Sequence, residues 1–265
     1  FSRDILASRE RRLELMELLR ESVERGFAGF SIQYQPQVET LTGRLRGAEA
    51  LARWHCAKYG DVSPGEFIPL MEQSGLIIPL GQWILRHAMV QCLEWSRLRP
   101  DFHISVNLSY IQLTQGDFIS CLSAALKEIN LAPSGLIMEL TETYLAKAEE
   151  DTLRMIAQMK ELGVKIAMDD FGVGYSSLFS LKNIPVDVVK IDKGFVKGIT
   201  SDLFNATFIR SITDLCHDVG RKVCLEGVET REEYEAVREL GMEYIQGFYF
   251  GRPMSARQIE KTLKE

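Results

Sequence analysis

Short apolar runs alternate along the chain with longer stretches of helical periodicity. Strand-like runs are predicted at 30–38, 45–54, 103–109, 136–142, 165–172, 186–192, 222–229 and 244–251. Helix-like stretches are predicted at 66–73, 79–97, 115–129, 148–162, 202–219 and 231–240. Alternation of strands and helices on this scale is typical of a parallel sheet covered by helices. Eight strands in 265 residues favour a TIM-type (β/α)8 barrel, with an open doubly wound sheet as the alternative.

The first two strand-like runs are joined only by the short segment 39–44. This connection resembles a hairpin and is too short for the helical crossover that parallel neighbours need. The opening pair is therefore predicted to be antiparallel, which an ordinary barrel does not have. The sequence thus predicts an α/β fold, a modified TIM (β/α)8 barrel with an antiparallel first strand.

A separate amphipathic pattern precedes the first strand. Residues 4–26 carry leucines and isoleucines at helical spacing among alternating charges, and Gly26 is a natural helix stop. We assign 1–26 to an N-terminal linker or packing helix. Because no low-complexity linker follows, 27–265 is assigned to one domain. The pattern begins at Phe1 without a capping residue, and we therefore expect the chain to be a fragment of a longer protein.

Composition and charge exclude several classes of protein. The chain is 46% hydrophobic and 26% charged, which is ordinary for a globular domain. A net charge of −6 lacks the basic footprint of a DNA-binding protein. No apolar run is long enough to span a membrane, and the five cysteines are scattered, as in a reducing compartment. We expect a cytoplasmic domain without DNA or membrane contact, either free or as the cytoplasmic part of a membrane-anchored protein.

Most predicted strands carry a carboxylate, an amide or a lysine near the carboxyl end. These residues are Glu49, Asn107, Glu139, Asp169, Asp170, Lys190, Glu226 and Gln246. The carboxyl ends of barrel strands converge at one mouth. One such residue is most simply a helix cap or a solvated loop side chain, but this many clustered carboxylates repel one another and resist desolvation. Hard divalent cations remove that cost, and an all-oxygen set favours Mg²⁺ or Mn²⁺ over zinc.

Two features of this set bear on the chemistry. The adjacent Asp169 and Asp170 precede the glycine-rich turn FGVGYSS, so that one carboxylate could bridge two ions, the arrangement used for displacement at phosphorus. Lys190 could be a Schiff-base nucleophile of a lyase, which needs a depressed pKa. Carboxylates around a lysine keep it protonated, and we therefore favour an electrostatic role that orients a nucleophilic water.

The segments that carry these residues resemble the EAL-domain cyclic di-GMP phosphodiesterases. In family order they are YQPQV, AEALARW, SPGEFIPLMEQSGLI, SVNLS, ELTET, DDFGVGYSSL, VDVVKID, EGVET and QGFYFGRP. Each segment alone is a weak signal, but the series from about Phe30 to Pro253 is highly specific. The resemblance implies that 27–265 is a barrel with an antiparallel first strand. It also implies metal-dependent hydrolysis of cyclic di-GMP to linear 5′-pGpG in bacterial second-messenger signalling.

The resemblance also implies a role for each matched residue. Glu49, Asn107, Glu139 and Asp169 would hold a first metal ion. Asp169 would bridge to a second ion, which Asp170 and Glu226 would complete directly or through water. Lys190 would contact the nucleophilic water, and we take Glu49, Asp170, Lys190 and Glu226 as the candidate catalytic residues. Gln35, Arg53 and Gln246 match positions that contact substrate or organise the site. Glu142 matches a glutamate that anchors the loop 170–177 and links metal binding to dimerisation.

Some members of this family have lost their metal ligands and act as cyclic di-GMP receptors. Every matched ligand position is filled here, so an active hydrolase is favoured and a non-catalytic receptor is the alternative. The segment 55–64 departs from the commoner family loop, and we expect it to alter the mouth or its regulation rather than the chemistry. The resemblance further implies two Mg²⁺ or Mn²⁺ ions, inhibition by Ca²⁺, a homodimer formed through the loop after the fifth predicted strand, and an upstream GGDEF or sensor domain.

Overall fold

The computed structural model of the protein describes residues 2–114, 117–146, 148–174 and 177–264. The strands are β1 (Phe30–Glu39), β2 (Leu45–Cys56), β3 (Gly60–Val62), β4 (His103–Asn107), β5 (Leu136–Thr141), β6 (Lys165–Phe171), β7 (Val188–Ile191), β8 (Lys222–Glu226) and β9 (Tyr244–Gln246). The helices are α1 (Ser2–Glu24), α2 (Pro64–Gln73), α3 (Ile77–Ser96), α4 (Tyr110–Thr114), α5 (Phe118–Ile129), α6 (Glu142–Leu145), α7 (Glu150–Glu161), α8 (Ser177–Asn183), α9 (Leu203–Asp218), α10 (Arg231–Val237) and α11 (Ala256–Lys264).

Eight of these strands close a barrel, in the order β1-β9-β8-β7-β6-β5-β4-β2, through the pairing of β1 with β2. β1 is antiparallel to both of its neighbours, whereas the other barrel neighbours are parallel. The modified barrel with an antiparallel first strand is therefore confirmed. The open doubly wound sheet is excluded, because β1 pairs on both sides and closes the sheet.

The predicted elements differ from the observed ones mainly in their ends. The strands predicted at 222–229 and 244–251 end at Glu226 and Gln246, each directly before a glycine. Gly227 has a φ of +79°, which turns the chain after β8, and a Cβ at Gly247 would overlap the backbone of Val228, so a glycine is required at that close approach. The sequence patterns did not predict α4, α6, α8 or α11.

The segment 55–64 was predicted as a loop but contains most of a hairpin. β3 pairs antiparallel with the end of β2, where Trp54 faces Val62 and Cys56 faces Gly60. Three residues are too few to show the alternation by which a strand is predicted. Because β3 precedes the remaining strands, the fifth predicted strand is β6 of the structure.

Side chains inside the barrel form two layers, because alternate residues of a strand point to the same face. The lower layer includes a small apolar cluster of Ile137, Ala167, Val188 and Cys224, with Tyr244 packed against it. Two residues further along the same strands come the polar residues Glu139, Asp169, Lys190, Glu226 and Gln246. The intervening outward-facing residues, such as Met138 and Val189, belong to the main core between the strands and the helices.

Helix α1 packs against the barrel domain. Leu15 and Leu19 are fully buried in the main core. Ser22 accepts a hydrogen bond from the indole of Trp54 at 3.1 Å, and Arg11 pairs with Glu66 of α2 at 2.6 Å. The boundary at 26/27 stays a prediction. No helix within the described ranges has both the length and the hydropathy that a membrane span requires.

Candidate metal and substrate site

The upper layer of the barrel brings the predicted site residues together at the carboxyl ends of the parallel strands. Strand register sets their neighbours: Asn107 lies beside Glu139, Glu226 beside Gln246, and Gln35 beside Glu49. The side chains of this layer are those of Gln35, Glu49, Asn107, Glu139, Asp169, Lys190, Glu226 and Gln246. Residues from eight strands thus share one small space, as the barrel prediction requires.

Lys190 lies in the middle of this layer and is only 1% exposed. Its Nζ is 2.6 Å from Glu139 Oε2 and 2.7 Å from Glu226 Oε1. Asp169 Oδ1 lies at 3.1 Å and Glu49 Oε2 at 3.4 Å from the same nitrogen. Burial alone would lower the pKa of Lys190, but these carboxylates raise it well above its usual value. A Schiff base requires an unprotonated amine, so the lyase role does not fit this environment.

One ammonium does not balance the negative charge of the layer. Burial, together with the charges of Glu49 and Asp169, raises the pKa of Glu139 well above its usual value. Burial, opposed in part by Lys190, raises the pKa of Glu226 to about 7. Burial and the neighbouring Asp169 also raise the pKa of Asp170. Protons are therefore retained because the layer lacks further positive charge.

Glu49 is the exception among these carboxylates. Burial alone would raise its pKa, but Lys190 and the hydrogen bonds from Gln246 and Asn107 bring it below the usual value. Asn107 Nδ2 donates to Glu49 Oε1 at 2.7 Å, and Gln246 Nε2 donates to Glu49 Oε2 at 2.7 Å. Both oxygens of Glu49 are thus held by amide donors, which fix the orientation of an ionised carboxylate.

The residues of this layer fit divalent metal ions. Carboxylate oxygens of Asp169, Asp170 and Glu226 lie within 4.8 Å of one another. Glu139 Oε1 is buried without a hydrogen-bond partner among the described residues, a costly state that a cation would relieve. The donors are carboxylate and amide oxygens, which suit Mg²⁺ and Mn²⁺.

The adjacent aspartates both reach the mouth because the strand is irregular at this point. The register between β6 and β7 shifts between Met168 and Phe171. Asp170 has a φ of 56°, a left-handed conformation that aspartate tolerates better than most residues. Neighbouring residues of a regular strand point to opposite faces, so this irregularity lets both carboxylates approach Glu226.

Glu142 follows β5 directly and is almost fully buried. Its Oε2 accepts hydrogen bonds from the backbone N–H groups of Gly172 at 3.0 Å and Gly174 at 3.1 Å. A Cβ at Gly174 would overlap the Glu142 carboxylate, so a glycine is required at that close approach. Glu142 therefore contacts the first part of the predicted loop 170–177. Tyr175 and Ser176 of that loop lie outside the described residues.

The three predicted substrate residues separate into two groups. Gln246 and Gln35 lie within the polar layer and are joined by a hydrogen bond from Gln246 Nε2 to Gln35 Oε1, at 3.2 Å. Arg53 lies further out on β2, where it lines a cavity of about 430 Å³ together with Leu51, Asn107 and Tyr144. This cavity opens beside the carboxylates and offers room for a substrate.

The structure adds two residues of β1 that the sequence analysis did not select. Gln33 Oε1 accepts a hydrogen bond from Arg53 Nε at 2.9 Å. Gln37 Nε2 donates to Gln246 Oε1 at 2.8 Å. With Gln35 between them, these glutamines recur at every second residue of β1. Alternating amides on one face of a strand were the signal that could have identified them.

Comparison with known proteins places these features in one family. The family model described as EAL domain matches residues 16–253. MucR of Pseudomonas aeruginosa, named a bifunctional diguanylate cyclase/cyclic di-GMP phosphodiesterase, is 37% identical over 98% of this chain and 38% of its own length. PdeR of Escherichia coli, named a cyclic di-GMP phosphodiesterase, is 35% identical over 88% of this chain and 35% of its own length. The chain therefore spans less than two fifths of either relative.

A solved structure extends the comparison to the fold. The structure described as PaMucR phosphodiesterase in a c-di-GMP complex is 38% identical, with a TM-score of 0.85. The match covers 93% of this chain and 99% of that one. The sequence motifs, the antiparallel opening of the barrel and these matches agree, and the chain belongs to the EAL domain family.

Proposed function

We propose that this chain is a metal-dependent phosphodiesterase that hydrolyses cyclic di-GMP to linear 5′-pGpG. The observation that carries the proposal is the buried layer in which Lys190 contacts four carboxylates, with Asp170 beside them. The names of MucR and PdeR support the substrate. The intact set of candidate ligands favours hydrolysis over the alternative, a non-catalytic cyclic di-GMP receptor.

Two Mg²⁺ or Mn²⁺ ions suit the donor set. Glu49, Asn107, Glu139 and Asp169 would hold the first ion, and Asp169, Asp170 and Glu226 would hold the second. When bound, such ions lower the pKa of a water and stabilise charge on the departing oxygen of a phosphodiester. Residues from separate strands fix the positions of these ligands before the substrate arrives, which avoids reorganisation during the reaction.

The remaining polar side chains bind the substrate and hold protons. The surrounding carboxylates keep Lys190 protonated, and its ammonium would orient the nucleophilic water and oppose the negative charge of the phosphate. Arg53 uses Nε to reach Gln33 and Nη1 to reach the carbonyl of Ala52, both at 2.9 Å. A guanidinium held in this way presents its remaining N–H groups to the cavity in the planar form that suits a phosphate.

Product analysis with defined metals tests the proposal. Purified protein freed of metal with EDTA is incubated with cyclic di-GMP and Mg²⁺, Mn²⁺, Ca²⁺ or no metal, and the products are separated by chromatography. We expect pGpG with Mg²⁺ and Mn²⁺ only. Ca²⁺ should bind and inhibit, because its looser coordination misplaces the reacting groups. Binding of cyclic di-GMP without pGpG in either Mg²⁺ or Mn²⁺ would overturn hydrolysis and favour the receptor.

We further propose a homodimer that forms beside the segment after β6. Phe204 is 68% exposed at the start of α9, and its ring stacks on Phe208. Phe208 stacks on Phe195, whose ring packs against Gly172. An exposed apolar surface thus connects through packed rings to the loop beside Glu142. Light scattering of Phe204→Glu tests this interface, with Leu41→Glu on the β1–β2 connection as an equally exposed control. A wild-type monomer at every concentration tested would contradict the dimer.

The length of the relatives bears on the whole protein. The chain spans 38% of MucR, whose name includes a diguanylate cyclase activity. We therefore propose that this domain functions next to an upstream GGDEF or sensor domain, which sequencing of the complete gene would reveal.

A further inference from the structure

A continuous series of hydrogen bonds runs inside the barrel from the amino end of β4 to Glu49. His103 Nε2 and Gln37 Oε1 are 3.0 Å apart. Gln37 Nε2 donates to Gln246 Oε1 at 2.8 Å, and Gln246 Nε2 donates to Glu49 Oε2 at 2.7 Å. All four side chains are buried. We call these four residues the interior network.

The direction of every bond in the interior network follows from its last member. An ionised carboxylate only accepts hydrogen bonds, so Glu49 requires the amide nitrogen of Gln246 to face it. The carbonyl oxygen of Gln246 then faces Gln37, which must present its own amide nitrogen. The carbonyl oxygen of Gln37 in turn faces His103, whose Nε2 must carry a proton. One orientation of each side chain satisfies the whole series.

The environment of His103 supports this assignment. Burial and the positive charges of Lys165 and Lys222 lower the pKa of His103 to about 3, so the ring is neutral and has one N–H to donate. The ring lies against Gly47, where a Cβ would overlap it, and its centroid is 5.2 Å from that of Tyr244. The ring is therefore held in place by packing as well as by Gln37.

Solvent approaches the His103 end of the network, where this ring lines a cavity of about 890 Å³ but is itself only 6% exposed. The cavity beside Gln37 and His103, bounded above by Glu139 and Lys190, has a volume of about 10 Å³. This space accommodates at most one water molecule. Removing a donor from the network would therefore leave buried acceptors unpaired.

We propose that Gln37 and His103 are positioning residues that hold Gln246, and through it the carboxylate of Glu49, in the orientation needed to bind metal. This inference rests on the proposed function. Gln246 has three partners, Glu49, Gln35 and Gln37, and Gln37 is the one that engages its carbonyl oxygen. Without that donor, the Gln246 amide can rotate and turn its oxygen toward the Glu49 carboxylate. Outer partners of metal ligands typically contribute a factor of about 10–100 in metal affinity.

A double-mutant comparison tests whether Gln37 acts through Gln246. Binding of Mn²⁺ to Gln37→Met, Gln246→Met and the double variant is measured by electron paramagnetic resonance without substrate. We expect Gln37→Met to weaken Mn²⁺ binding about 10-fold or more. The double variant should bind no more weakly than Gln246→Met alone, because Gln37 then has nothing left to orient. Fully additive losses would overturn the proposal.

A second pair of variants tests His103 and the direction of its bond. His103→Gln keeps an amide donor for Gln37 and should retain Mn²⁺ affinity within about threefold. His103→Leu removes the donor and should lose affinity as Gln37→Met does. If the two variants bind Mn²⁺ equally, the network does not act through this donor. Because this pair is independent of Gln37→Met, the proposal stays testable if one variant fails to fold, which thermal unfolding will show.

Ser105→Ala is the matched control. Ser105 is buried, lies two residues from His103 on β4, and shares its face of the strand. The Ser105→Ala variant should have the Mn²⁺ affinity and the turnover of the wild type. In Gln37→Met and His103→Leu the Mg²⁺ concentration for half-maximal activity should rise, while the KM for cyclic di-GMP at saturating Mg²⁺ should not. A wild type that binds no Mn²⁺ would overturn the proposed function as well. If the wild type binds Mn²⁺ and the Gln37 and His103 variants bind it with the same affinity, only this inference is overturned.

Discussion

The two layers inside the barrel come from the same strands but have opposite character. In the lower layer, Ile137, Ala167, Val188 and Cys224 form an apolar cluster. In the upper layer, two residues later on the same four strands, stand Glu139, Asp169, Lys190 and Glu226. Burial of the apolar side chains of the lower layer stabilises the fold, whereas the upper layer requires charged groups to be desolvated next to one another. On each of these four strands, a residue of the apolar cluster and a residue of the candidate site thus lie two positions apart.

The apolar layer also shapes the chemistry above it. It gives the carboxylates an apolar floor, and burial is the first cause of the raised pKa values of Glu139 and Glu226. Groups whose charge is poorly compensated are characteristic of functional sites. Substitutions of the candidate metal ligands in the upper layer should therefore affect mainly metal binding and turnover, and substitutions in the apolar cluster of the lower layer mainly the free energy of unfolding.

The largest expected effect is the loss of turnover in Glu49→Ala. This change removes a candidate ligand of the first metal ion and the acceptor for Asn107 and Gln246. We expect turnover with Mg²⁺ to fall about 100- to 1,000-fold, the scale seen when one electrostatic contact of a transition state is removed. Binding of cyclic di-GMP in Ca²⁺ should partly survive. The rate of pGpG formation, followed by chromatography, measures this effect. A variant that retains a tenth of the wild-type rate would show that Glu49 is not a ligand.

Lys190→Met is the upper-layer substitution that should lower both stability and turnover. Without the ammonium, four carboxylates lose their shared partner, and breaking a buried ion pair typically costs roughly 3–5 kcal/mol. We expect the free energy of unfolding in EDTA to fall by that order and Mg²⁺ to restore part of it. Turnover should remain lost even when stability is restored. Denaturant unfolding with and without Mg²⁺ measures the first effect, and unchanged stability in EDTA would contradict the central position of Lys190.

Ile137→Ala should lower the free energy of unfolding while leaving turnover almost unchanged. The substitution leaves a cavity in the lower layer, and such changes typically cost about 2–5 kcal/mol. We expect the turnover of the folded variant to stay within about threefold of wild type, since Glu139 keeps its contact with Lys190. Urea unfolding and steady-state kinetics give the two numbers. A large loss of turnover with little loss of stability would show that the layers are not separable.

The smallest expected effect is the pH dependence of stability without metal. The pKa of Glu226 is raised to about 7 in the folded protein. The folded state therefore binds more protons than the unfolded state at mildly acidic pH. The contribution of protonated Glu226 to the free energy of unfolding is present at low pH and is lost as the pH rises through about 7. We expect the melting temperature in EDTA to fall between pH 5 and pH 8. Stabilisation by Mg²⁺ should grow over the same interval, because metal competes with the proton. A Glu226→Gln variant should show a smaller slope, and an equal slope would exclude Glu226 as the cause.

The sequence alone indicated that polar residues such as Glu139, Lys190 and Glu226 lie near the carboxyl ends of apolar strands, and the structure brings their side chains together. Their roles as metal ligands and catalytic residues stay predictions. The short segment 39–44 likewise predicted the antiparallel first strand, since loop length limits the possible connections. Each of these patterns spans only a few neighbouring residues, so it can be recognised from the sequence without knowledge of the three-dimensional structure.

What could not be predicted depends on contacts between distant parts of the chain. Lys190 and Glu49 are 141 positions apart, and Gln246 and Glu49 are 197 apart. The hydrogen bond between Gln37 and Gln246 depends on the pairing of β1 with β9. The irregularity at Asp169 and Asp170 depends on the pairing of β6 with β7. Strand β3 has three residues, too few for a periodic signal.

We propose that residues from separate strands form an oxygen-lined site for two divalent cations. Crystals grown with Mn²⁺ and measured for anomalous scattering test it most directly. We expect two anomalous peaks in the upper layer, one contacted by Glu49, Asn107, Glu139 and Asp169, and one by Asp169, Asp170 and Glu226. A fully occupied Mn²⁺ elsewhere in the crystal with no peak in this layer would contradict the claim.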